Sequence, residues 1–258
     1  VKFIREPENI LKEIGIYEPE DIELPLVAFH LGAHVKTIAM SDCEGYIIGT
    51  HEQAIISINS GVPEQRQRFS LGHELGHWVN DRGKNLTYRC DSADMNQRNS
   101  KLSNFRQQKE VRANQFSARL LMPNHILPNY IDPLAVTWEQ ISHIANTFSV
   151  SRTTAAIRFV ELTDLPCMLV AWSTSGVRKW FLRGSAIPDS IWPLKRIMRP
   201  LQHFSHDRFS VPKEVDADTW VDEVGAERYE LVESQFFNGY EILTLLWWKD
   251  ESQLLEKL

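Results

Sequence analysis

Two glycines one helical turn apart, Gly72 and Gly76, constrain the fold of this chain more than any other feature. They lie in Arg66-Gln67-Arg68-Phe69-Ser70-Leu71-Gly72-His73-Glu74-Leu75-Gly76-His77-Trp78-Val79. Each costs a helix interior about 1 kcal/mol relative to alanine, so a helix carrying both calls for another backbone packed very close against that stripe. Leu71, Leu75, Trp78 and Val79 form a separate apolar face expected to be buried, while His73, Glu74 and His77 face a cleft. At about 100° per residue the two histidines fall one turn apart on one face. This HExxH spacing lets two imidazoles converge on one metal ion, with a carboxylate beside them to take a proton from water. The pentapeptide also arises by chance on solvated helices, so a third ligand is needed to decide between the two.

A second helix supplies a candidate. Glu110-Val111-Arg112-Ala113-Asn114-Gln115-Phe116-Ser117-Ala118-Arg119-Leu120-Leu121-Met122 is stopped by Pro123. Glu110, Ala113, Asn114, Ser117 and Leu121 share a face, and the small residues Ala113 and Ser117 are what the glycine stripe needs opposite it. A close crossing there brings Glu110 toward His73 and His77 as third ligand, with Asn114 one turn on to orient a ligand or substrate. Taken alone, Glu110 also reads as an ordinary solvated helix glutamate.

The chain around these helices is that of a globular protein. A formal charge of -6 over 258 residues gives no global attraction to nucleic acid or anionic membrane. The strongest apolar run, Leu243 to Trp248, is far too short to span a bilayer, so no membrane association is expected. The first residues hold no signal-peptide apolar segment, and the start at Val1 suggests missing residues. Cys43, Cys90 and Cys167 are widely spaced in no paired motif, which points to a reducing, cytoplasmic setting with the thiols as packing residues.

In chain order, Pro7 to Gly15 and Leu24 to Leu31 read as short helices, the second ending at Gly32 as C-cap. Val35 to Met40, Gly45 to Gly49 and Ala54 to Ile58 read as strands of a small antiparallel sheet. Their edge offers either peptide binding by strand addition or simple cover for the core. Ser60 and Pro63 are the expected cap and first-turn residue of the HExxH helix. Asp81 to Asn104 is polar and without period, hence a loop or a lid over the cleft. Within it Tyr88 is either an oxyanion donor or an exposed loop tyrosine.

HELGH preceded by RQRFSLG, and Glu110-x-x-Ala-Asn-x-Phe-x-Ala-x-Leu-Leu-Met-Pro123 after it, together resemble the ImmA/IrrE family of metallopeptidases. The lead-in Ile56-Ser57-Ile58-Asn59-Ser60 fits as well, so the likeness covers about Val35 to Pro123. The resemblance implies a zincin-like fold, with His73, His77 and Glu110 as metal ligands and Glu74 as general base. Zinc suits the histidine and carboxylate donors, and manganese or iron can occupy the same set. Members commonly carry alanine where Gly72 stands, a small-for-small exchange that leaves the chemistry intact.

Downstream, Thr137 to Phe148 is amphipathic and is followed by Ser149-Val150-Ser151 and a helix from Arg152 to Leu162, a helix-turn-helix pattern. Glu139, Arg152, Arg158, Glu161 and Asp164 leave it about neutral, without the Lys and Arg excess of a DNA reader, so packing or protein docking is expected. From Leu165 on the pattern is α+β: Cys167 to Ser173 and Val177 to Arg183 as a hairpin, and Tyr240 to Trp248 as a late buried strand. A basic stretch (Arg178, Lys179, Arg183, Lys195, Arg196, Arg199, Arg208) precedes an acidic one from Glu214 to Glu233; both are expected on the surface, facing each other or a partner.

The whole therefore reads as α+β, with a zincin-like metallopeptidase domain at 1–130 and a helix-turn-helix-like unit at 131–164. Residues 165–258 form a sensor or interaction domain, GAF-like by its position in longer family members. The resemblance further implies a protein substrate, a helix-turn-helix (XRE-like) transcriptional repressor whose cleavage derepresses stress-response or mobile-element genes. Two other readings stand beside it: a DNA-binding regulator with a structural metal, and a repressor-binding protein that acts without proteolysis. The intact Glu74 argues against the first, since a structural site has no need of a base.

Overall fold

A helix bounded by proline in its first turn and glycine just past its end stays short, and the chain begins with two such helices. In the computed structural model, which describes residues 5–81, 86–90, 105–197, 209–222 and 225–255, α1 spans Pro7–Glu13 and α2 Leu24–His30. Each has proline in its first turn, where a missing N–H costs nothing. Gly32 follows α2 with φ +78°, the left-handed turn that sends the chain into the first strand.

Strands β1 (Ala33–Ile38), β2 (Gly45–Gly49) and β3 (Ala54–Asn59) lie close to where the apolar runs place them. The sheet they form is mixed, not antiparallel. Its order is β1-β3-β2 followed by a fourth strand, β4 (Leu86–Cys90). β2 hairpins onto β3, and β1 joins the other edge of β3 in parallel, with Val35 opposite Ile56. β2 thus serves as the crossover that a parallel pair requires.

β4 corrects a second expectation. Leu86–Cys90 falls within the stretch read as a loop or lid, yet it pairs antiparallel with the free edge of β2, Tyr88 opposite Ile47. Five residues rich in β-formers give no readable period, and the waiting edge decides their state. Residues 82–85 and 91–104, the rest of that expected lid, lie outside the described ones.

The long helix α3 (Glu64–Asp81) follows the sheet. Ser60 is not its cap: its N–H closes the sheet onto Ile38 O, and the helix is opened by Pro63 O, which accepts from Arg66 and Gln67 N–H. Helix α4 (Phe105–Leu121) packs along α3. From Ser70 to Asp81 every residue of α3 is buried, the face carrying the histidines included. Trp78 fixes the apolar side, its Nε1 donating to Leu31 O at 2.8 Å.

Two compact units make up the chain, residues 1–129 with 146–151 and residues 130–145 with 152–258. In the second, α5 (Trp138–Thr147) starts where Thr137 Oγ1 accepts the Gln140 N–H, and α6 (Arg152–Leu162) follows. An antiparallel sheet comes next, with β5 (Cys167–Trp172), β6 (Arg178–Arg183), β7 (Lys213–Asp216), β8 (Glu230–Phe237) and β9 (Ile242–Trp247) in the order β6-β5-β9-β8-β7. Short α7 (Ser252–Leu255) closes the described chain.

The expected hairpin and late strand are present; of the stretch read as an acidic surface, β7 is exposed as expected, whereas β8 is buried along most of its length. Glu233 of that stretch is buried, accepting a hydrogen bond from Trp220 Nε1. Two of the basic residues are likewise spent locally: Arg178 on Pro193 O, and Arg183 on the carbonyls of Pro188, Asp189 and Ile191. Arg199 and Arg208 lie outside the described residues. No described helix is long and apolar enough to cross a membrane.

Candidate metal centre

The close crossing of α3 and α4 is made by the glycine stripe. A Cβ built on Gly76 would stand 3.0 Å from Ala113 Cα, and one on Gly72 would stand 2.5 Å from Ser117 Oγ. Only side-chain-free positions let the two backbones approach so far. The small face of α4 expected opposite the glycines is therefore the one that meets them.

This approach carries Glu110 to the histidines. His73 Nε2 and His77 Nε2 are 3.1 Å apart, and Glu110 Oε2 lies 3.2 Å from each. All three residues are buried, and they form the cluster among the described residues able to hold a metal ion. A tetrahedral ion with bonds of about 2.0–2.1 Å separates its ligand atoms by about 3.3–3.4 Å, so a triangle with these edges fits one small divalent cation. Asn114 Oδ1 sits 2.8 Å from His73 Nδ1 and turns the opposite ring nitrogen toward the cluster.

Glu74 is fully buried beside the histidines. Glu44 accepts two hydrogen bonds from Arg66 and so ties the start of β2 to α3. Gly45, next along, thereby lies close to Glu74: a Cβ there would lie 3.3 Å from Glu74 Oε1. The carboxylate is thus confined between the helix and the strand end.

Electrostatics follow the same grouping. Burial, the largest effect, lowers the basicity of His73, and the neighbouring His77 adds to it against the opposing pull of Glu110. Burial pushes His77 down too, but the carboxylates of Asp81, Glu110 and Glu74 around it outweigh it and raise the group to about 9. Glu110 is driven up by burial and further down by the two imidazoles, ending well below the usual carboxylate range. An anionic carboxylate between two imidazoles is a site poised for a cation.

One residue went unnoticed in the sequence. Asp81, at the end of α3, is buried, with Oδ1 3.2 Å from both Lys109 Nζ and Arg112 Nη2 and Oδ2 3.9 Å from His77 Nδ1. Burial alone would raise its carboxyl, yet His77, Lys109 and Arg112 hold it below the ordinary value. Its spacing of four from His77 was the available signal. Tyr88 is in β4, and its side chain lies outside what is described.

Residues 29–160, just over half of the chain, match the family profile of the IrrE N-terminal-like domain, peptidase M78. The chain belongs to the ImmA/IrrE family. A curated relative of this ImmA/IrrE chain is the "Radiation response metalloprotease IrrE" of Deinococcus radiodurans, 28% identical over 115 residues, or 45% of this chain. The match spans 33% of that relative's length. Among solved structures, a "Mycobacterium tuberculosis transcriptional regulator" is similar in fold, with a TM-score of 0.58 at 13% identity over 93% of this chain and 73% of that one.

Proposed function

We propose that this protein is a zinc-dependent endopeptidase of the ImmA/IrrE type. The observation that carries the reading is the triangle of His73 Nε2, His77 Nε2 and Glu110 Oε2, with edges of 3.1–3.2 Å, next to a buried glutamate. His73, His77 and Glu110 would hold the ion, a set of three protein ligands as in catalytic rather than structural zinc sites. When bound, zinc supplies Lewis acidity toward water and toward a peptide carbonyl. Glu74 takes the proton from the attacking water and delivers it to the leaving amine.

The substrate is a protein, and we assign it to the helix-turn-helix repressors, whose cleavage releases stress-response or mobile-element genes. The name of the Deinococcus relative supports a stress role. We divide the chain at 1–130, 131–164 and 165–258 into peptidase domain, helix-turn-helix-like unit and GAF-like sensor domain, all acting in the cytoplasm. The middle unit serves docking and not direct DNA binding. Its two arginines support this: Arg152 donates to Ser142 Oγ and stacks on Phe236, and Arg158 is buried against Glu161. Cations so engaged are poorly placed to neutralise phosphates.

Co-expression of the protein, or its Glu74→Gln variant, with the helix-turn-helix repressor encoded beside it tests the reading. The parent yields repressor fragments, and Glu74→Gln binds zinc and repressor but yields none. Equal cleavage by both refutes the role of Glu74; binding by both without any fragment establishes a regulator that works by capture.

A further inference from the structure

His73 and His77 both present Nε2 to Glu110, so in both rings Nδ1 is the rear nitrogen. Behind His73 stands Asn114 Oδ1, at 2.8 Å. Behind His77 stands Asp81, one turn further along α3, with Oδ2 3.9 Å from Nδ1. Asp81 is only 2% exposed, and this oxygen is buried without a hydrogen-bond partner. Leaving a buried carboxylate oxygen unbonded is costly, and reaching hydrogen-bond length from His77 Nδ1 takes about 1 Å of side-chain rotation. The other oxygen is anchored by Lys109 and Arg112, each at 3.2 Å. These two cations flank Glu110 in α4, so the helix that carries one corner of the triangle also fixes the carboxylate behind another.

We propose that Asp81 is a positioning residue of the metal centre: it accepts a hydrogen bond from His77 Nδ1–H and thereby leaves Nε2 bare and aimed at the ion. The inference rests on the reading of His73, His77 and Glu110 as the ligand set. A carboxylate behind a ligand imidazole fixes ring orientation and strengthens the donor, and its loss costs about 10- to 100-fold in metal affinity. The two histidines would then be oriented by different chemistry, an amide for His73 and an ion-paired carboxylate for His77.

The full chain is used for the test, with zinc affinity measured by competition with a chromophoric chelator. The Nδ1–H resonance of His77 is followed by NMR in zinc-loaded, histidine-labelled protein. Asp81→Ala is expected to weaken zinc binding about 10- to 100-fold. Asp81→Asn, which keeps an acceptor but not the charge, recovers part of the affinity and moves the His77 Nδ1–H resonance upfield. Lys109→Gln, which weakens the tie between helices but spares Asp81, lowers thermal stability and leaves that resonance near its wild-type position. Wild-type affinity in a folded Asp81→Ala protein, or an unmoved resonance in Asp81→Asn, overturns the proposal. If Asp81→Ala fails to fold, the Asp81→Asn resonance decides alone. A wild-type chain that takes up no zinc refutes the ligand set itself, and the role of Asp81 falls with it.

Discussion

Replacing Gly72 by alanine probes why the two helices of the metal centre come so close. The added Cβ would lie 2.5 Å from Ser117 Oγ, 3.2 Å from Ser117 Cβ and 3.3 Å from Ser117 Cα. Carbon atoms in contact prefer about 3.5–4.0 Å, so α4 must recede or Ser117 must turn. Turning is resisted because Ser117 Oγ donates to Phe69 O at 2.8 Å. Alanine gains about 1 kcal/mol of helix propensity. Against this stand about 1–3 kcal/mol of overpacking and about 0.5–1.5 kcal/mol for the lost hydrogen bond. The steric and polar effects win, and Gly72→Ala is expected to destabilise by about 2 kcal/mol, within a span of about 0.5–3.5 kcal/mol.

The same geometry predicts a rescue. With Ser117→Ala in place the 2.5 Å contact is gone and no hydrogen bond remains to break. Gly72→Ala is then about neutral, its propensity gain offsetting the residual crowding. Urea unfolding of the parent, both single variants and the double variant, followed by circular dichroism, gives the coupling directly, expected at about 2 kcal/mol. Additivity within about 0.5 kcal/mol would refute the claim that Gly72 exists to admit Ser117.

Two further outcomes follow from the site and the core. Glu110→Ala removes one corner of the ligand triangle, so its metal content by elemental analysis after dialysis falls well below that of the parent; full occupancy removes Glu110 from the ligand set. Burial pushes the Cys167 thiol up to about 12 from an ordinary value of 9.0. A folded-state value above the unfolded one contributes stability that is intact below pH 9 and lost as pH rises toward 12. Iodoacetamide at pH 8 therefore labels half-buried Cys43 but not Cys167, as peptide mapping would show, and Cys167→Ala flattens the decline of the melting temperature above pH 9.

Where a local period carried the information, the residues alone were enough. The repeat of 3.6 placed His73, Glu74 and His77 on one face of α3, and the paired glycines called for a close helix with a small face. The matching face of α4 brought Glu110 with it. Two glycines together cost a helix about 2 kcal/mol of propensity, which a closely packed neighbour offsets, and that is why a pairwise contact between residues 37 apart in sequence was legible at all.

Other features had no local signature. The parallel partnership of β1 and β3 depends on which edge of β3 the hairpin leaves open, and β4 forms because β2 offers it unpaired backbone groups. β8 reads as charged surface because its burial comes from the rest of the sheet: Glu233 is tolerable inside only where Trp220 supplies a donor. The burial of the histidines and the alignment of Asp81 with His77 belong to the same class. Sequence determined the donors and their helical spacing, since these repeat within a turn or two. Only tertiary structure decided which strands pair, how deeply the donors are buried and what stands behind each imidazole, because those depend on groups brought together from separate elements.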